Sequence, residues 1–270
     1  MGKMYNINKI NVMKRKINLF VIVMLFLMGF TACEQNEKPG GIPGMGDTPG
    51  ELEVAESFEA PEGISIDVKG SGVISVTEEN AVSALKSSME WDWSHIYGCG
   101  GSFHGNNKFV FWITVDISIN NNCDSLKCIT ISRGTIFKVS DPRAQNGILL
   151  EDVKVCVKAH SVKKIKIMLM CLNRGRHGSE KDMYYEILGV TNSNLIKELL
   201  SFLKGKKIGL EHYIEINNGP VSLKSVGNDY LKEYREIADH IQNSIWKLTN
   251  EGENLSQEDI DYFRSLPDIE

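Results

Sequence analysis

The stretch Ile165-Lys166-Ile167-Met168-Leu169-Met170-Cys171-Leu172-Asn173-Arg174-Gly175-Arg176 decides how the chain is read. Ile165, Ile167, Leu169 and Cys171 share one face under period-two alternation, which predicts a strand. Asn173 and Gly175 are turn residues, so a loop takes over just past Cys171. A thiol at the tip of an apolar strand face is placed either as a reactive group or as a small core hydrophobe. What the rest of the chain brings to it decides between the two.

Working outward, Val162 to Leu172 and Ile148 to Val157 both read as strands with one apolar and one lysine-bearing face. Phe109 to Ile119 alternates for eleven residues and predicts a single strand. Cys128 to Val139 predicts another, with Gly134 marking a bulge or bend and Asp141-Pro142 ending it. Ile64–Lys69 and Val73–Thr77, joined by Gly70-Ser71-Gly72, read as a hairpin. Glu78 to Met89 reads as a short helix. The glycine-rich run from Gly98 to Gly105 lacks the spacing and the Gly-Lys-Ser/Thr of a phosphate loop.

Downstream the period changes. Leu195, Ile196, Leu199, Leu200 and Leu203 predict an amphipathic helix capped by Ser193 or Asn194 and stopped at Gly205. Leu231, Tyr234, Ala238, Ile241, Ile245 and Leu248 form the stripe of a longer helix, capped by Asn228 or Asp229. A short helix begins at Ser256, with Asp259 placed for a capping box, and ends before Pro267. The expected fold class is α+β: an antiparallel β-sandwich or partly open barrel over 63–190, followed by a C-terminal helical region over 191–270 packed on the sheet.

The N-terminus carries Lys14, Arg15 and Lys16, then an apolar run from Ile17 to Phe30 and the small residues Thr31-Ala32 before Cys33. This is the pattern of an export signal over 1–32. The Phe30-Thr31-Ala32-Cys33 segment resembles the bacterial lipoprotein box, with Phe30 standing where leucine is usual. The resemblance implies a lipid on Cys33, a membrane contact through it, and a place in the bacterial cell envelope. Residues 33–62, rich in Gly, Pro and Glu, are expected to be a flexible tether. Without residues 1–32 the chain has 25 basic against 35 acidic residues, a charge of −10 in place of −5. That balance excludes nucleic acid as the natural partner.

Five cysteines follow Cys33: Cys99, Cys123, Cys128, Cys156 and Cys171. In an exported chain they can pair, and Cys123 with Cys128 brackets a turn; an odd count leaves one over. No second pair has ligand spacing, so no metal and no cofactor is expected. A cysteine hydrolase using Cys171 and the nearby His177 lacks an indicated carboxylate partner, and the chain is not read as an enzyme.

Cys171-Leu172-Asn173, followed by Gln242-Asn243-Ser244-Ile245-Trp246, resembles the thioester-domain family of bacterial surface proteins. The likeness runs from Thr130 to Phe263, with Met170, Ile241 and Ser244 departing from the usual pattern. It implies a bond between Cys171 and Gln242, supported or shielded by Asn173, Ile245 and Trp246, that captures amines on a neighbouring surface. His240 is a candidate proton carrier on another face of the same helix. The other expectation is a non-covalent or structural surface lipoprotein that meets a glycan or protein, with Trp91, Trp93 and Trp112 as stacking residues.

Overall fold

The computed structural model describes residues 37–77, 95–105, 108–216, 221–223 and 229–269. The expected helix over 78–89, Trp91, Trp93, Asn228, the export signal and Cys33 lie outside them. Residues Lys38–Glu270 form one compact unit.

The strands in chain order are β1 (Val54–Ser57), β2 (Ile64–Gly70), β3 (Ile74–Val76), β4 (Ile96–Tyr97), β5 (Ser102–His104), β6 (Lys108–Phe111), β7 (Ile113–Asn121), β8 (Lys127–Ile131), β9 (Thr135–Val139), β10 (Gly147–Ile148), β11 (Val153–Val157), β12 (Ser161–Cys171), β13 (Tyr185–Thr191), β14 (Ile214–Ile216) and β15 (Val221–Leu223). The main sheet runs β1-β13-β9-β10-β12-β7-β2, and β4 adds to β12 in parallel. Every other strand-to-strand pairing among the described residues is antiparallel. The sheets stay open, and the fold is an α+β sandwich with a C-terminal helical region.

The central strand is β12, which carries the opening stretch. It pairs with β7 from Ser161↔Asn121 to Leu169↔Ile113, and on its other edge with β10 at Met170 and Cys171. Its second half is buried on both faces. Ile165, Ile167, Leu169 and Cys171 join an apolar cluster against β8 and β11, the second layer of the sandwich. Met168, Met170 and Leu172 join a second cluster against the helices. The lysine-bearing face therefore stops at Lys166, which is buried and pairs with Asp116 on β7 at 2.5 Å. A disulfide joins Cys128 and Cys156, which face each other across the β8–β11 ladder.

The helices are α1 (Asn194–Leu203), α2 (Asp229–Trp246) and α3 (Gln257–Ser265). Ser193 caps α1 by accepting the Ile196 N–H, and Gly205 stands at φ 75° just beyond it. The capping box of α3 is formed: Ser256 Oγ accepts from Asp259 N, and the Asp259 carboxylate accepts from Ser256 N. The α2 stripe expected from the sequence is buried as a unit, and a π-helical turn, Lys247–Glu251, extends the helix. Among the described residues no helix is long and apolar enough to cross a membrane.

Five expectations are corrected, the first being a single strand over Cys128 to Val139, which the turn at Gly134 divides into β8 and β9 in different sheets. The strand over 109–119 is two: Phe109 and Phe111 belong to a small sheet with β3 and β5, while Ile113 onward belongs to the main sheet. The break is at Trp112, whose Nε1 donates to Ser102 at 2.9 Å. Ile64–Lys69 and Val73–Thr77 are not a hairpin, because β2 pairs with β7 and β3 with β6. Ile148 to Val157 splits into β10 and β11, which lie in different sheets. Cys123 remains a free thiol, because its neighbour Cys128 is spent on Cys156 across the ladder.

The expected tether over 33–62 is, from Lys38, part of the fold. Ile42 and Met45 are buried in the helix-side cluster, and β1 pairs with β13. Lys38 to Gly50 forms a strap. Gly40 N–H donates to the Leu248 carbonyl at 2.6 Å, and Gly46 N–H to that of Leu172 at 2.8 Å. Two buried apolar side chains, worth about 1.5–3 kcal/mol each, and these bonds offset the entropy that its composition suggests it would keep.

Candidate functional site

Strand β12 outlasts its neighbour. β7 pairs with it only as far as Ile113↔Leu169 and then leaves at Trp112. Leu172 N–H bonds to Asn146 on the opposite edge, so the N–H and C=O of Cys171 point to the edge that β7 has vacated. Buried main-chain groups there need partners. Gln242 supplies them: Cys171 N–H donates to Gln242 Oε1 at 2.7 Å, and Gln242 Nε2 donates to the Cys171 carbonyl at 2.9 Å. The carboxamide takes the place of the next ladder rung. Cys171 and Gln242 are both fully buried.

This places the two residues singled out in the sequence side by side, although 71 positions separate them. The thiol points off the sheet plane into the cluster against β8 and β11, because strand side chains stand roughly perpendicular to the sheet. The amide lies in the rung. The Cys171 N–H already holds the carboxamide oxygen, where an oxyanion would develop. Burial pushes the Cys171 thiol well above the ordinary cysteine range, so it is held as the neutral thiol.

The supporting residues divide. Ile245 is buried on the helix side, while Trp246 lies with Cys171 in the other cluster. Its Nε1 is buried without a hydrogen-bond partner among the described residues. Asn173 ties down the strap: its Nδ2 donates to Gly44 O at 3.1 Å and Gly46 O at 2.9 Å, and its Oδ1 accepts from Asn146 N. Gly46, at φ 58°, passes so close to the π-turn that any side chain there would overlap Thr249 O. The strap therefore covers both the end of β12 and the end of α2.

His240 is not at the thiol. It pairs with Asp259 at 3.1 Å and stacks on Tyr262. His177 is exposed in the following loop, and Trp112 is half-buried at the strand break.

Three contributors carried no signal in the sequence reading. Arg174 lays its guanidinium 5.0 Å from the centre of the Trp246 ring and pairs with Glu251, closing the outer side. Tyr185 lies in the same cluster as Cys171, and its hydroxyl is buried without a hydrogen-bond partner among the described residues. Burial and then the nearby Cys171 raise its pKa. The strap could have been suspected from Ile42 and Met45, two apolar residues in a run otherwise composed for solvent. Compared with protein-family models, curated proteins and solved structures, the chain matches none of them.

Proposed function

We propose that this chain is a bacterial envelope lipoprotein, anchored through a lipid on Cys33, whose Cys171 and Gln242 join as an internal thioester that captures amines on a neighbouring surface. One observation carries the reading: the Gln242 carboxamide is held on Cys171 by two hydrogen bonds in a sealed site. In the first step the sulfur attacks the carboxamide carbon. The S–C bond forms, the C–N bond breaks, and the thiol proton leaves with the nitrogen as ammonia. Cys171 N–H stabilises the oxyanion, and the Cys171 carbonyl holds the departing nitrogen by its N–H. The acyl group survives because the site excludes water. In the second step an incoming primary amine attacks the thioester, leaving an amide on Gln242 and returning the proton to sulfur. No cofactor takes part.

The second reading is a non-covalent binding or structural lipoprotein that meets a glycan or protein. It is favoured by the fact that both polar atoms of the amide are already satisfied by the Cys171 main chain, as in a ladder rung without chemistry. Intact mass separates the two. Freshly purified protein is expected to fall one ammonia short of its sequence mass, and Cys171→Ala to remove the deficit. A full mass in the wild type, with Cys171 alkylated once the chain is unfolded, overturns the covalent reading.

A further inference from the structure

A second polar cluster lies apart from Cys171, where the loop after β10 meets the short 3-10 turn Leu210–His212. Glu151, Glu211 and His212 each offer one ligand atom, and these atoms lie within 4.8 Å of one another. The turn is fixed in place by Leu210 N–H, which donates to Gly98 O, and Glu211 Oε2 accepts from Gly98 N at 2.8 Å. His212 Nε2 stands 3.2 Å from Glu151 Oε1.

Two features set this cluster apart from a solvated acidic face. The Glu151 side chain is only 12% exposed, and its Oε2 is buried with no hydrogen-bond partner among the described residues. A buried, unsatisfied carboxylate oxygen is costly unless something cationic or proton-bearing meets it. The second feature is Gly209, where any side chain would overlap both Glu151 Oε2 and Glu211 Oε2. The glycine leaves room for the two carboxylate oxygens to converge. No lysine or arginine is ion-paired with either carboxylate among the described residues.

We propose that Glu151, Glu211 and His212 form a binding site for a divalent transition cation of the zinc class. An imidazole with two carboxylates suits zinc better than calcium, which prefers oxygen alone. Ligands on a tetrahedral zinc at ~2.1 Å stand roughly 3.4 Å from one another. The 3.2 Å between His212 Nε2 and Glu151 Oε1 is close to that spacing. Three protein ligands leave a fourth position for water or a partner's group. The site uses none of the residues of the proposed thioester.

The test is zinc titration of the chelator-treated full chain by calorimetry, in a Cys123→Ser background because Cys123 is a free, half-exposed thiol. The expected result is uptake of one equivalent and a raised thermal midpoint. Glu151→Gln and His212→Ala should each weaken binding by at least ~100-fold, the scale on which even outer-shell changes act. Cys171→Ala should leave it unchanged. Glu151→Gln keeps the side-chain shape and removes a like charge, so it should fold and, without metal, melt no lower than the parent. Cobalt(II) in place of zinc should show the strong visible bands of four-coordination. No uptake, or uptake that survives both ligand substitutions, overturns the proposal. A metal-free Glu151→Gln that melts well below the parent also overturns it, because the carboxylate would then be satisfied within the protein.

Discussion

Gln242 is the residue whose removal should be felt most. Its amide is the partner of one buried donor and one buried acceptor on Cys171. Gln242→Ala strands both, and at ~1–3 kcal/mol for each unsatisfied group the loss should be about 2–6 kcal/mol. Compared with the chain in which the amide is intact and no bond to sulfur has formed, Cys171→Ala should cost about 1 kcal/mol, because the ring of hydrogen bonds uses the main chain and only a small side chain is lost. Urea melts of the two variants measure the difference. Equal losses would show that the side chain of Cys171, rather than its backbone, is what Gln242 supports. The proximity of Cys171 and Gln242 was legible from the short motifs around each. The manner of contact was not, because it depends on β7 departing at Trp112 and leaving a backbone edge to be filled. Alternation reports that one face is buried and is silent on what it is buried against. Phe111 and Ile113 obey the same rule yet serve different clusters.

Among the elements, α3 depends most on charge. Asp259 closes its capping box, accepts from Lys247 Nζ at 2.8 Å and pairs with His240 at 3.1 Å. Burial raises its carboxyl, but the hydrogen bonds from Lys247 and Ser256 outweigh it and bring it down to about 2 from 3.8. The group binds its proton more weakly folded than unfolded. Its contribution is therefore complete above about pH 4 and is lost as pH falls towards 2, on the order of 2 kcal/mol in all. Acid titration followed by circular dichroism should show wild type losing stability over that window, with Asp259→Asn starting lower and responding less. Matching profiles would mean that Asp259 does not couple folding to protons. The helices were legible because stripe and cap are local features: Ser193, Ser256 and Asp259 stand where the sequence put them. Strand partners were less legible. Gly70-Ser71-Gly72 permits a hairpin, but Ile64 to Gly70 finds a longer partner in β7, and Cys128 finds Cys156 opposite it rather than Cys123 close by.

For the whole molecule, the lesson is that the stretch from Lys38 onward belongs to the fold. A chain starting at Glu51 would lose Ile42 and Met45 from the helix-side cluster, about 3–6 kcal/mol of burial, together with the cover over the end of β12. It should melt well below a chain starting at Glu37, and Cys171 should react faster with an alkylating reagent under native conditions. Equal protection of the thiol in both would show that Trp246 and Arg174 suffice as a roof. Composition hid the strap because its order comes from a few contacts with distant residues, Asn173, Leu172 and Leu248, rather than from any pattern of its own. The same strap sets the path of mechanical load. Tension applied between the N-terminus and position 242 passes from Lys38 through the Gly40–Leu248 bond into the π-turn that extends α2, and through the Gly46–Leu172 bond into the end of β12. A handful of hydrogen bonds carries the force before it reaches the long β7–β12 ladder. Pulling peels the strap first and uncovers Cys171 while the sheets remain folded.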